Sequence, residues 1–333
     1  MRSLRSLPRA PLVTAPTPLH PAHRLSDAIG VEVWFKREDL TGLGLGGNKA
    51  RGLEYLIGDA LAQGCDCLVT GAGPQSNWAM LAALAARRYG LEPYLVCYGS
   101  PVPATGNLLL DQLAGADVRF TGELDRASVD AAIEKLGGEL TAAGRRPYVV
   151  PRGGATDRGA AGYVRASVEL ADQLMTTGLA PSELWLATGS CGTQAGLLAG
   201  ARWLRSPYQI MGVTVSRPVD ECVARIGTLA AASAKLLGLP RGGGGLQGVG
   251  AAGSDVSVVD GYLGPGYGKA SAEGERATRL VARTEGVFLD PVFGAKAMAA
   301  LLDAANARRV EDPVVFLVTG GAPTLFAGTG VHP

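Results

Sequence analysis

Gly42-Leu43-Gly44-Leu45-Gly46-Gly47-Asn48-Lys49-Ala50-Arg51 stands between an alternating run, Val31-Glu32-Val33-Trp34-Phe35, and apolar residues Leu53, Leu56, Ile57, Ala60 and Leu61 at helical spacing. The passage reads strand, glycine loop, helix. The same rhythm continues along the chain. Strands at 67–70, 93–98, 118–120, 148–150, 184–187 and 210–215 precede helices at 76–89, 107–113, 126–142, 162–174, 193–204 and 219–236. Later come strands at 256–259, 288–289 and 314–318, with helices at 272–284 and 296–305. Strands alternating with helices imply an α/β fold with parallel sheets covered on both faces. So many units predict two sheets, with a ligand in the crevice beyond the strands' carboxyl ends.

Upstream of this pattern, prolines at 8, 11, 16, 18 and 21 predict an extended arm, because proline fixes φ and biases the preceding residue away from helix. The glycine-rich stretch 241–250 reads either as a linker or as a mobile loop within the second sheet.

Composition narrows the function. The 333 residues carry 31 basic and 30 acidic side chains, so no chain-wide field gathers nucleic acid or anionic lipid. No apolar run reaches the roughly 18 residues of a membrane span. The prolines also interrupt the apolar core a signal peptide would need. Five cysteines without metal-ligand spacing read as free thiols in a reducing compartment, hence a cytoplasmic location. Three histidines near the termini leave no metal site expected; His20-x-x-His23 reads as loop histidines before it reads as a metal pair. Only six of the basic residues are lysine, which makes each one a question.

Nucleotide signatures fail on this glycine loop: the helix begins only after Asn48-Lys49, and Asn48-Lys49-Ala50 lacks the Gly-Lys-Ser/Thr of a P-loop. A second glycine loop, Thr188-Gly189-Ser190-Cys191-Gly192-Thr193, joins a strand directly to a helix. First-turn amides and the positive end of the helix dipole would hold a phosphate monoester there. A tight turn capped by Ser190 or Thr193 accounts for the same residues without a ligand. Lys49 bears on that choice. Burial and a helix N-terminus both lower an amine's pKa, and such a lysine condenses with aldehydes. A reactive lysine and a distant phosphate cup together describe a site for pyridoxal phosphate. A third junction, Thr70-Gly-Ala-Gly-Pro-Gln-Ser76-Asn77-Trp78, offers Ser76 and first-turn amides to a substrate carboxylate, or Ser76 or Asn77 as a simple helix cap. Glycines recur after a strand in Val318-Thr319-Gly320-Gly321-Ala322-Pro323.

With these residues in place the chain resembles pyridoxal-phosphate enzymes of the tryptophan-synthase-β-like fold (fold type II), in particular the D-cysteine desulfhydrase and 1-aminocyclopropane-1-carboxylate deaminase group. The matching stretches are Pro16-Thr17-Pro18-Leu19, Lys36-Arg37-Glu38-Asp39-Leu40, Gly46 to Arg51, Gln75-Ser76-Asn77, Thr188-Gly189-Ser190, Gly192 to Gly196, Leu289-Asp290-Pro291-Val292 and Thr319 to Pro323, in family order. The resemblance implies two domains with the cofactor in the cleft between them: a large one of residues 1–51 plus 161–333, and a small one of 52–160. It implies that Lys49 holds the cofactor's aldehyde and moves protons at the substrate α-carbon. Ser76 would act in catalysis or carboxylate binding, and Asn77 would bond the cofactor's ring oxygen. Gly189, Ser190, Cys191, Gly192 and Thr193 would hold the phosphate, Thr319 would stand beside the ring, and Tyr267 matches an active-site tyrosine. A homodimer is expected on the same ground.

Three positions depart from the family. Trp78 stands where histidine is usual, Phe293 where tyrosine is usual, and Gly294 where a partner for the pyridine nitrogen is usual; Trp78 and Phe293 are read as substrate-facing. Phe293 cannot donate a proton, a role worth about 10²–10⁴-fold where it is used. Cys191, at a usual glycine of the phosphate loop, reads as a buried inert thiol. The expected activity is a lyase or deaminase acting on a small amino acid, by β-elimination to a 2-oxoacid and ammonia. Alternatives are a retuned member doing elimination, replacement or cyclisation on an unusual substrate, a cyclopropane deaminase, and a catalytically silent cofactor-binding protein.

Overall fold

Apolar runs and amphipathic helices sort this chain into two sheets. The computed structural model describes residues 4–240 and 255–327; the stretch 241–250 falls outside them. In chain order the strands are β1 (Leu19–Pro21), β2 (Val33–Arg37), β3 (Cys67–Ala72), β4 (Glu92–Cys97), β5 (Asp117–Phe120), β6 (Pro147–Val149), β7 (Glu183–Thr188), β8 (Gln209–Thr214), β9 (Ser257–Val259) and β10 (Val314–Val318). The α-helices are α1 (His23–Ile29), α2 (Lys49–Ala62), α3 (Asn77–Arg88), α4 (Gly106–Leu113), α5 (Ser128–Ala142), α6 (Asp157–Thr177), α7 (Gly192–Leu204), α8 (Val219–Leu237), α9 (Ala272–Glu285) and α10 (Gly294–Asn306).

One sheet has the order β1-β2-β10-β7-β8-β9 and the other β5-β4-β3-β6. Every described pairing is parallel except β1 against β2. The first sheet thus draws strands from both ends of the chain, and the second draws only on residues between them. Val314 to Val318 is buried along its whole length, as a central parallel strand covered on both faces must be. Burying each such side chain contributes roughly 1.5–3 kcal/mol. Among the described residues no helix is long and apolar enough to cross a membrane.

Glycine brings three helices together. A Cβ on Gly162 of α6 would lie 2.2 Å from the Arg51 carbonyl of α2, and one on Gly196 of α7 would lie 2.2 Å from the Ala160 carbonyl of α6. Backbone-to-backbone packing at these points sets the N-termini of α2 and α7 side by side. Lys49 opens the first helix, and the second glycine loop leads into the other.

Several expectations need correction. Residues 288–289 form no strand: they follow the left-handed Gly286 that ends α9 and run unpaired, with Phe288 exposed. The first predicted strand lies two residues later, at Val33–Arg37, because pairing with Val314–Val318 sets its register. Within the arm, Leu19–Pro21 pairs antiparallel with β2 as an edge strand, where proline is tolerated. Helix α1 gave little signal: no side chain caps it and only Leu25 is buried. Helix α6 starts five residues earlier than periodicity suggests, because the Thr156 side chain accepts the Gly159 amide.

Candidate active site

Lys49 is delivered by a loop with no room for side chains. Gly46 and Gly47 have φ of 74° and 139°, and a Cβ on Gly46 would lie 1.7 Å from the Asp39 carbonyl. Thr41 locks the turn, its hydroxyl donating to the Gly47 carbonyl at 3.0 Å and accepting the Gly47 amide at 2.9 Å. The Asn48 amide donates to the Thr319 carbonyl at 2.9 Å, and a Cβ on Gly320 would lie 2.7 Å from the Gly47 Cα. The first and last glycine motifs therefore pack against each other, and Lys49 enters the crevice at the first turn of α2. Burial pushes its ammonium down to about 8, against the smaller opposing influence of Cys191 and Asp290. Acylation of the cofactor-free protein by an amine-directed reagent should therefore label Lys49 with a midpoint near pH 8, while surface lysines follow the usual pKa of about 10.4; peptide mass spectrometry across pH checks this.

Behind Lys49 lies a buried ionic cluster. Arg51 Nε contacts Glu38 at 2.5 Å and Arg51 Nη2 contacts Glu169 at 2.8 Å; Lys36 reaches Glu169 at 2.6 Å. Thr17 and Tyr163 donate hydroxyls to Glu38 at 2.7 and 2.9 Å. Burial pushes the Glu38 carboxyl up, but Arg51 and its neighbours more than reverse this and hold it below its ordinary value. The Pro16–Leu19 and Lys36–Leu40 stretches thus meet as a scaffold that fixes α2.

The second glycine loop leaves β7 at Thr188 and enters α7 at Gly192. Cys191 occupies the cap position with φ 72°, and neither Ser190 nor Thr193 caps the helix. The loop's carbonyls are engaged: Ser216 donates to Gly189 at 3.3 Å and Arg225 to Ser190 at 3.2 Å. The Thr193 hydroxyl receives Asn48 Nδ2 at 3.1 Å, tying this loop to Lys49's helix. Among the described residues, the amides of Ser190, Gly192 and Thr193 have no protein acceptor. A small recess of about 20 Å³ opens among Asn48, Gly153, Ser190, Gly192 and Thr193. Unpartnered amides around a recess at a helix N-terminus suit a phosphate group.

A larger cavity of about 660 Å³ adjoins it, lined by Lys49, Ser76, Asn77, Tyr267, Phe293 and Thr319 among others. Ser76 does cap α3, accepting the Ala79 amide at 3.2 Å, while still facing the cavity. Asn77 is oriented from behind. Its Oδ1 accepts Asn107 Nδ2 at 2.7 Å, and Asn107 is in turn held by Gln75. The Asn77 Nδ2 is left as a donor, lying 2.4 Å from where a Cβ on Gly321 would be. The Phe293 ring stands edge-on to Tyr267 at 6.3 Å, and a Cβ on Gly189 would lie 3.1 Å from it.

The structure changes the reading of Trp78. Its indole N–H donates to Thr70 Oγ1 at 2.9 Å, and its ring lies 2.2 Å from where a Cβ on Gly154 would be. The ring touches the cavity wall but is only 4% exposed, so its bulk fills the core of the smaller sheet. At Gly294 the missing side chain makes room for Asp290, whose Oδ1 would lie 3.2 Å from a Cβ there. Asp290, quoted in a motif but given no role by sequence, accepts the amides of Val292, Phe293 and Gly294. Burial still pushes its carboxyl up to about 6, despite those three bonds. Sequence reasoning also missed Arg126, whose guanidinium lies 4.4 Å from the Tyr267 ring centroid.

These parts fit pyridoxal phosphate: an amine of lowered pKa for its aldehyde, free amides for its phosphate, and the Asn77 donor for its ring oxygen, around one cavity. Comparison with known proteins agrees. Residues 11–320 match the family model described as pyridoxal-phosphate dependent enzyme. The chain is 40% identical to a D-cysteine desulfhydrase of Salmonella choleraesuis (strain SC-B67), over 100% of this chain and 99% of that protein. Its fold matches the crystal structure of an ACC deaminase homologue with TM-score 0.89 and 36% identity, covering 97% of this chain and 95% of the other. A processed threonine deaminase isoform 2 from Solanum lycopersicum shares the fold at TM-score 0.66 and 19% identity, covering 93% and 80%. The chain therefore belongs to the pyridoxal-phosphate dependent enzymes, and pyridoxal phosphate is its cofactor.

Proposed function

We propose that this enzyme is a lyase that removes the α-proton and the β-substituent of a small amino acid, releasing a 2-oxoacid and ammonia. One observation carries the reading: the Lys49 amine and the amide cup of α7 share a cleft whose remaining space suits a small amino acid. The cofactor, when bound, supplies the electron sink that stabilises charge at the α-carbon. The rest falls to side chains of this chain. Lys49 anchors the cofactor and then takes the α-proton, a task for which an amine near pH 8 is well matched. The Ser76 hydroxyl and the first-turn amides of α3 receive the substrate carboxylate. Asn77 Nδ2 donates to the cofactor's ring oxygen, aimed by Asn107. Cys191 is a buried thiol whose pKa is raised by its hydrogen bond with Cys222 and by burial, so it serves the loop's backbone shape. Tyr267 closes the cleft and Phe293 keeps its inner wall apolar.

Phe293 favours β-elimination over opening of a cyclopropane ring, which must protonate a ring carbon while a C–C bond breaks. Trp78 lends little to a retuned pocket, since its donor and bulk are spent on Thr70 and Gly154. The lowered pKa of Lys49 supports an active enzyme over a silent binder. A homodimeric assembly and a cytoplasmic location belong to this proposal on family resemblance and thiol usage alone. The test is a panel of both stereoisomers of β-substituted alanines, D-cysteine included, beside 1-aminocyclopropane-1-carboxylate, scored by 2-oxoacid and ammonia release. At least one β-substituted alanine should turn over faster than the cyclopropane acid; preference for the ring compound, or no release from any, would overturn the assignment.

A further inference from the structure

Lys296, in the first turn of α10, is a fully buried lysine with no part in the chemistry assigned above. Among the described residues no carboxylate lies within ion-pair distance of it; burial pushes its pKa down, and Asp290 opposes this without reaching it. A buried charge without a partner is costly, and a methionine would fill much the same space. The two described hydrogen bonds of this ammonium go to one place: Lys296 Nζ donates to the Leu263 carbonyl at 2.8 Å and to the Gly266 carbonyl at 3.3 Å. The segment it holds, 260–270, joins β9 to α9 and carries Tyr267. Gly266 and Gly268, on either side of Tyr267, have φ of 146° and 78°, so the backbone there has little preference of its own. Among the described residues a single backbone bond lies within the segment, from the Lys269 amide to the Gly266 carbonyl at 3.4 Å. A second tie also runs to α10, where the Tyr262 hydroxyl donates to Asp303 at 3.0 Å. The Gly266 carbonyl belongs to the peptide plane that leads into Tyr267, so fixing its direction fixes where the tyrosine side chain leaves the backbone. That ring meets Phe293, the residue before α10, edge-on at 6.3 Å, and the Arg126 guanidinium of the smaller-sheet side at 4.4 Å.

We propose that Lys296 is a positioning residue of this enzyme: by holding the Gly266–Tyr267 peptide it sets the Tyr267 ring in the cleft wall between Phe293 and Arg126. Lys296 is not among the lining residues of the cleft, so it acts through Tyr267, which is. This rests on the elimination reading above only in that Tyr267 meets the substrate there. A lysine that merely filled the core would give way to methionine without moving Tyr267. One that holds the segment would not, and a misplacement of about 1 Å at the reacting centre costs on the order of 10²-fold.

The test compares wild type, Lys296→Met, Tyr267→Ala and the double variant, as full chains with and without pyridoxal phosphate. Amide hydrogen exchange in the cofactor-free protein should quicken by about tenfold or more over 261–269 in Lys296→Met, while β7 and β10 keep their protection. With 3-chloroalanine as probe, in both stereoisomers, kcat/KM of the holoenzyme should fall by about ten- to hundredfold in Lys296→Met. Cofactor affinity should stay within about twofold, because Lys49, Asn77 and the α7 amides are untouched. In the Tyr267→Ala background the same Lys296→Met change should alter kcat/KM by no more than about twofold, since the group it positions is gone. Equal losses in both backgrounds would overturn the proposal, as would unchanged exchange over 261–269. Loss of protection throughout β7 and β10 would overturn it too, making Lys296 a residue of the core alone. If the wild type releases no oxoacid from either stereoisomer, the elimination reading loses its support on this probe, and the exchange result alone decides for or against Lys296.

Discussion

Lys49→Ala should abolish turnover while leaving a folded protein that still binds pyridoxal phosphate. Loss of the base alone costs about 10²–10⁴-fold, and loss of the covalent anchor adds to it. The α7 amides and Asn77 remain, so cofactor binding should weaken without disappearing. Lys49→Arg should fare no better, because a guanidinium stays protonated and cannot act as nucleophile or base. Oxoacid release together with equilibrium dialysis of the cofactor checks both halves. Turnover within tenfold of wild type in either variant would contradict the role given to Lys49.

The second large effect is on stability. Arg51→Met should destabilise the chain by about 3–5 kcal/mol, the range for removing one partner of a buried ion pair. Glu38 is completely buried, and Arg51 supplies two of its bonds, at 2.5 and 2.7 Å. Without that cation a carboxylate is stranded in the core, and α2 loses the tie that fixes Lys49 two residues away. The double variant Arg51→Met/Glu38→Gln should cost clearly less than the two single changes summed, because each removes the charge the other strands. Denaturant midpoints of the four cofactor-free proteins measure this, and strictly additive losses would show that the pair is not coupled.

What could be read from sequence was local. Lys49 behind its glycines and the 189–193 loop each sit within one strand-to-helix junction, where period and residue type suffice. The order of strands and helices from β2 to α9 was legible for the same reason, whereas β1, α1 and the unpaired run at 288–289 were not. Orientation was not. Trp78 packs its ring into a slot left by Gly154, on a distant segment, while still touching the cavity wall, and no nearby residue announces that. Asp290 matters through the space vacated at Gly294 and through three amides that its own chain folds back onto it. Arg126 and Tyr267 meet across 141 positions of chain, so their contact exists only once the cleft is formed. The Lys36 to Leu40 motif was visible as a pattern, yet its meaning as a buried scaffold needed Arg51 and Glu169 beside it.

Lys49 and the α7 amide cup should hold one molecule of pyridoxal phosphate between them. The direct measurement is borohydride reduction of the purified holoenzyme followed by peptide mass spectrometry. Reduction should remove a long-wavelength absorption band and leave the cofactor mass fixed on the peptide containing Lys49. Cofactor fixed on Lys36, Lys269 or Lys296, or covalent fixation by borohydride that persists in Lys49→Ala, would contradict it.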